Sequence, residues 1–128
     1  MTDRCNFRCI YCMPEEVHWL NREEILRFEE IVRLVKIFSS LGIQKIRLTG
    51  GEPLMRKNLP LLILFLKRIP GIQNISLTTN GYLFASYAEE MWKAGLDSVN
   101  FSLDTLRRDR FKEICQKDAL ERVLESIS

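Results

Sequence analysis

Three thiols fall within one short run of this chain, at Cys5, Cys9 and Cys12, in Asp3-Arg4-Cys5-Asn6-Phe7-Arg8-Cys9-Ile10-Tyr11-Cys12-Met13-Pro14. Thiolates are soft ligands, and three from one tight loop can hold three corners of a cuboidal iron-sulfur cluster. The remaining iron then has no local protein ligand and is open to a substrate or cofactor. The spacing leaves a second reading open, a zinc ion held by the three thiolates and His18. The fourth cysteine, Cys115, lies in the helical stretch Phe111–Cys115, where a thiol reads as a small buried side chain, and it is left out of the site.

Gly50-Gly51-Glu52-Pro53 forms a second group. It matches neither a Walker loop nor a dinucleotide fingerprint, so it is not a nucleotide phosphate cradle of those kinds. Two glycines at a strand end let backbone come close to a ligand, Glu52 adds a carboxylate and Pro53 fixes the exit; a plain turn is the alternative. Similar polar clusters, Thr78-Thr79-Asn80-Gly81 and Ser102-Leu103-Asp104, close two further apolar runs.

The elements that must position these groups follow from periodicity. Phe28, Ile31, Leu34, Val35, Phe38 and Leu41 recur at helical spacing, with Gly42 placed to end the helix. Lys45 to Thr49 reads as a strand. Asn58 supplies a cap and Pro60 a first-turn proline for a helix running to about Ile69, which Pro70-Gly71 stops. The pattern then repeats: strand from Asn74 to Thr78, helix from about Ala85 to Ala94 stopped by Gly95, strand from Ser98 to Ser102, helices at about Arg107 to Ile114 and Ala119 to Ile127. Three strand-helix units in sequence predict an α/β fold with parallel strands. Because the strands alternate apolar and polar positions, part of a barrel fits better than an open sheet covered on both faces. Ligands of such barrels sit at the carboxyl ends of the strands, so the three polar clusters and the cysteine loop are expected to share one rim.

Composition narrows the remaining classes. Nineteen basic against seventeen acidic residues give a net charge of +2, which offers nothing to draw a nucleic acid. Arg4, Arg8, Lys45, Arg47, Arg56 and Lys57 gather near the motifs and read either as local positive charge for an anion or as a scattered solvated set. No run reaches the length of a membrane span and nothing at the start resembles a secretory signal, so the cytoplasm, with reduced thiols, is expected. Leu61, Leu62, Ile63, Leu64, Phe65 and Leu66 cover every face of one helix, so part of it is expected to be exposed unless another segment or subunit covers it.

The cysteine spacing, with an aromatic before the last cysteine and Gly-Gly-Glu-Pro after the following strand, resembles the radical S-adenosylmethionine (SAM) superfamily. More closely, Thr2 to Pro14, Lys45 to Leu54, Leu77 to Gly81 and Val99 to Asp104 are similar to its GTP 3′,8-cyclase family of molybdenum-cofactor biosynthesis. The resemblance implies a partial TIM-type barrel and a 4Fe-4S cluster on Cys5, Cys9 and Cys12. It implies cofactor contacts to SAM from Tyr11, Gly50, Gly51, Glu52 and Ser102, and substrate contacts to GTP from Arg47 and Thr78. For Arg47 a structural ion pair stays open as the alternative.

The implied reaction uses one electron from the cluster to split SAM, and the resulting 5′-deoxyadenosyl radical takes hydrogen from the ribose of GTP before ring closure onto the base. The implied partners are GTP and an electron donor; a homo-oligomer is the further expectation, from the apolar helix that a subunit could cover, with no nucleic acid or membrane expected from charge and hydropathy. Another radical SAM enzyme, such as a peptide maturase or an activating enzyme, and a non-enzymatic metal-binding module are the alternatives. The family has a strand just before Thr-Asp-Arg-Cys and further strands with a second cysteine triplet beyond the region corresponding to Ser128. Residues 1–128 are therefore expected to be a partial core domain that does not convert GTP alone.

Overall fold

In the computed structural model, which describes residues 1–14 and 16–128, the chain alternates helix and strand from Phe28 onward. Helix α1, Phe28–Ser40, turns Ile31, Val32 and Val35 inward and ends where Gly42 takes a φ of +96°. Strand β1, Lys45–Leu48, helix α2, Leu59–Lys67, strand β2, Asn74–Thr79, helix α3, Phe84–Ala94, and strand β3, Ser98–Phe101, follow. Helices α4, Arg108–Cys115, and α5, Leu120–Ile127, come after β3, and short 3-10 helices lie at Arg22–Glu24 and Pro53–Met55.

Among the described residues the three strands form one parallel sheet in the order β1-β2-β3, with Arg47 opposite Ser76 and Ser76 opposite Ser98. The expected elements are all present, with ends displaced by a residue or two. Gly95, at φ +106°, stops α3 where glycine was read as a terminator, because an L side chain rarely tolerates that backbone conformation, whereas α2 already ends at Lys67, before Pro70 and Gly71. Asn58 departs from its expected role. It sits in the left-handed region at φ 62° and its side chain caps nothing; its backbone carbonyl instead accepts from the N–H of Leu61 at 3.0 Å.

The sheet has two unlike faces. Leu48, Ile75 and Leu77 are buried against Val35, Leu62, Ile63, Leu66 and Met91 of the helices, forming the main core. The opposite face carries Arg47, Ser76, Thr78 and Asn100, the polar half of the alternation. Burial of α2 is one-sided as well: Leu62, Ile63 and Leu66 are inaccessible while Leu61 and Phe65 are 45% and 40% exposed.

A second core, built by Phe7, Phe111, Cys115, Ala119, Leu120 and Val123, packs α4 and α5 against the cysteine loop. Phe7 meets Phe111 and Tyr82 edge to face, with ring centroids 5.8 and 5.9 Å apart. Such pairs add about 0.5–1.5 kcal/mol each beyond the area they bury. The loop bearing the three thiols is thus fastened from inside by one of its own residues.

Candidate cluster and cofactor site

The cysteine loop is shaped by backbone hydrogen bonds at both flanks. At its start the carbonyls of Thr2 and Arg4 accept from the N–H groups of Gly51 and Glu52, each at 2.7 Å. In its middle Arg8 and Ile10 donate to the carbonyls of Cys115 and Ile114, at 3.1 and 2.9 Å. Those carbonyls belong to the last turn of α4, which has no helical donor of its own, so the loop caps the helix while the helix fixes the loop. The N–H groups of Cys12 and Met13 both reach the Cys9 carbonyl and curl the loop between the second and third thiols.

The glycine pair is explained by the same contact. A Cβ on Gly50 would lie 2.5 Å from the Thr2 carbonyl oxygen, and one on Gly51 would overlap the backbone of Arg4. These glycines therefore permit the close approach of the Thr2–Arg4 backbone.

Glu52 is 1% exposed, and its carboxylate is spoken for. Oε1 accepts from the Thr79 hydroxyl at 2.7 Å and the Leu54 N–H at 3.1 Å, and Oε2 accepts from the Asn80 N–H at 2.8 Å. Burial pushes its pKa up, and these three donors partly offset the rise by favouring the charged form. Asn80 continues the connection: its carboxamide nitrogen donates to Asn6 Oδ1 at 2.8 Å and faces Cys5 Sγ at 3.8 Å. The ends of β1 and β2 are in this way tied to the first thiol.

Tyr11 makes the third tie. Its phenol, on a side chain 66% exposed, donates to Asp104 Oδ2 at 2.8 Å and joins the loop to the segment after β3. That hydrogen bond pushes the Tyr11 pKa well above its usual value. Ser102 sits beside it, exposed, with its N–H donating to the Thr79 carbonyl at 2.8 Å. Thr78 and Arg47 lie on the polar sheet face, Arg47 one row below Thr78, with its guanidinium Nε 3.4 Å from the Ser76 hydroxyl.

The structure brings Cys5, Cys9, Cys12, Tyr11, Gly50, Gly51, Glu52 and Ser102 to one end of the sheet. Arg47 and Thr78 stand on the sheet face below it, and His18 is exposed on the segment that follows the loop. Cys115 is buried, with its thiol pushed up to about 12, chiefly by burial and next by Cys9. It packs beside Cys5 and Cys9 in the second core, which a sequence pattern alone does not show.

Four of the six gathered cations have structural partners, counting Arg47 at Ser76. Arg8 donates to the carbonyls of Cys5 and Phe7, Arg56 donates to those of Met1 and Leu26, and Arg4 and Arg8 lie 4.9 and 5.1 Å from the Trp19 ring centre. Sequence reasoning also passed over Asn80 and Asp104 as site residues; their polar clusters were visible, but not which members would reach across to the cysteine loop.

The donor set fits a cluster. Three thiolates carried by one loop are the soft donors that an iron-sulfur cluster takes.

The family model of the radical SAM superfamily matches residues 1–128. The chain belongs to the radical SAM superfamily. Members of that superfamily use a 4Fe-4S cluster and SAM, and the parallel strands seen here are part of its TIM-type barrel. The radical SAM relatives include the GTP 3′,8-cyclase of Syntrophomonas wolfei, 57% identical over 99% of this chain and 39% of its own length. That of Pelotomaculum thermopropionicum is 53% identical over the same shares. That of Staphylococcus aureus is 49% identical over 89% of this chain and 35% of its own. The chain thus spans about two fifths of the length of the curated relatives it matches.

Proposed function

We propose that residues 1–128 are part of the core domain of a GTP 3′,8-cyclase, in which Cys5, Cys9 and Cys12 hold a 4Fe-4S cluster. The observation that supports this is the shared rim: Thr2–Arg4 paired to Gly51 and Glu52, Asn80 at Cys5, and Tyr11 at Asp104. One thiol loop is held against the ends of all three described strands, where α/β barrels place their ligands.

Each residue then has a task set by its position. Tyr11, Gly50, Gly51 and Ser102 border the loop and would hold SAM. Glu52, buried and fully hydrogen-bonded, would act by fixing the Gly50–Gly51 backbone in place. When bound, the cluster and SAM supply the one-electron cleavage that starts hydrogen abstraction. Arg47 offers a guanidinium suited to phosphate, and Thr78 a hydroxyl for ribose or phosphate oxygen, on the polar face beneath the rim. Holding the substrate there, with its reacting C–H bond turned toward the rim, is the protein's share of the catalysis.

No described helix is long and apolar enough to cross a membrane. A cytoplasmic enzyme, supplied by an electron donor, acting on GTP and assembled as a homo-oligomer without nucleic acid, completes this reading.

Anaerobic reconstitution tests it. The chain should turn brown, take up about four irons on three thiols and bind SAM. A colourless zinc protein without affinity for SAM would overturn the proposal. For the substrate, Arg47→Ala should weaken GTP binding by at least tenfold, and unchanged binding would shift the reading to another radical SAM reaction.

A further inference from the structure

Two N–H groups are directed at the sulfur of Cys5: the Phe7 backbone N–H, with nitrogen 3.5 Å away, and the Asn80 carboxamide at 3.8 Å. Among the described residues no nitrogen donor reaches the sulfurs of Cys9 or Cys12 in the same way. The three thiols are therefore not equivalent.

The orientation of the Asn80 side chain follows from its other contacts. Its Oδ1 accepts from the Tyr82 N–H at 3.0 Å, so its nitrogen must face the opposite way, toward Asn6 Oδ1 and Cys5. Exchanging oxygen and nitrogen would set two oxygens against each other on one side and two donors on the other. The backbone is equally fixed, since the Asn80 N–H is held by buried Glu52, which is held in turn by Thr79. A rigid support leading from two strand ends to one thiol is more than a turn requires.

A hydrogen bond to a cluster-ligating sulfur withdraws electron density and favours the reduced, more negative cluster, raising its potential. We propose that Asn80 is a positioning residue for the cluster: its carboxamide holds Cys5 and raises the cluster's reduction potential. The inference rests on the reading of Cys5, Cys9 and Cys12 as cluster ligands.

Two variants separate the hydrogen bond from the fold. Asn80→Leu keeps the side-chain size and removes both donors. Asn80→Asp retains the acceptor for Tyr82 and replaces the donor with a carboxylate oxygen. After anaerobic reconstitution, potentiometric measurements followed by electron paramagnetic resonance should show a lower potential in both. The expected fall corresponds to about a tenfold change in the one-electron reduction equilibrium, or about 59 mV. Asn80→Asp should fall further because it also adds negative charge near the cluster.

Thermal unfolding and iron content establish that each variant is folded and loaded. Should Asn80→Leu not fold, Asn80→Asp carries the test through its retained bond to Tyr82. A loaded variant with the wild-type potential would overturn the assignment of Asn80 while leaving the cluster reading intact. Failure of the wild-type chain to take up a four-iron cluster would remove that reading, and this inference with it.

Discussion

The Thr79 hydroxyl donates to Glu52 Oε1 at 2.7 Å inside the protein, joining the end of β2 to the loop after β1 through two side chains that are each 1% exposed. The Leu54 and Asn80 N–H groups complete a set of three donors around this carboxylate. Glu52→Gln turns one acceptor into a donor facing donors. A loss of about 1–3 kcal/mol is expected in urea unfolding, because a buried polar group left without its partner bears its full desolvation cost.

Gly51→Ala should act on the cysteine loop across a backbone contact. The new methyl overlaps Arg4, so the Thr2–Arg4 segment must withdraw and its bonds to Gly51 and Glu52 lengthen. A destabilisation of about 1–3 kcal/mol is expected, as for other overpacked sites. Amide exchange should quicken at Gly51 and Glu52 first; unchanged exchange there would show that the segment shifts without loosening.

Asp97 makes the acid limb of stability predictable. Its carboxylate accepts from Lys67 Nζ at 2.6 Å and from the Ile75 N–H at 2.7 Å, and its pKa is lowered, chiefly by the Lys67 bond. A depressed folded-state pKa means that the unfolded chain binds the proton more readily. The contribution is thus present above the unfolded value of about 3.9 and is lost as pH falls through the folded one. Asp97→Asn should destabilise the protein at neutral pH by no more than about 1 kcal/mol, since the pair is part-exposed, and flatten the acid limb of its unfolding curve.

Tyr11→Phe removes the tie between the cysteine loop and Asp104 without opening a cavity. Global stability should change by less than about 1 kcal/mol, as for one exposed hydrogen bond. The informative measurement is proteolysis near Ile10–Cys12, which should accelerate severalfold in the apo chain. An unchanged cleavage rate would show that Phe7 and the α4 carbonyls hold the loop without this tie.

Much of this was legible in the sequence. Gly42 and Gly95 announced the ends of α1 and α3 because positive φ excludes most other residues. The alternation in β1 and β3 announced a sheet with one polar face, and the cysteine spacing with Gly-Gly-Glu-Pro announced the superfamily. What the sequence hid depends on contacts between distant segments. Phe7 belongs to no periodic run, yet it centres the second core. Asn58 looked like a side-chain cap, but its left-handed backbone turned the side chain away from the helix N–H groups. Arg8 and Arg56 read either as local charge for an anion or as a solvated set, and they donate to backbone carbonyls. The sequence marks Glu52 as a carboxylate beside the site, and nothing local reveals that three donors enclose it.

The anchoring of Phe7 among Phe111, Leu120 and Val123 bears on the order of folding. Residues near one end of the sequence must find residues near the other, and closing so long a circuit carries a larger entropic cost than the short crossovers between neighbouring strands. The sheet with α1 to α3 can assemble from local pairings, while the middle of the thiol loop, from Phe7 to Ile10, is fastened when α4 and α5 arrive. Metal offered before then would meet three loosely held thiols, and the prepared site would exist only after α4 and α5 have docked.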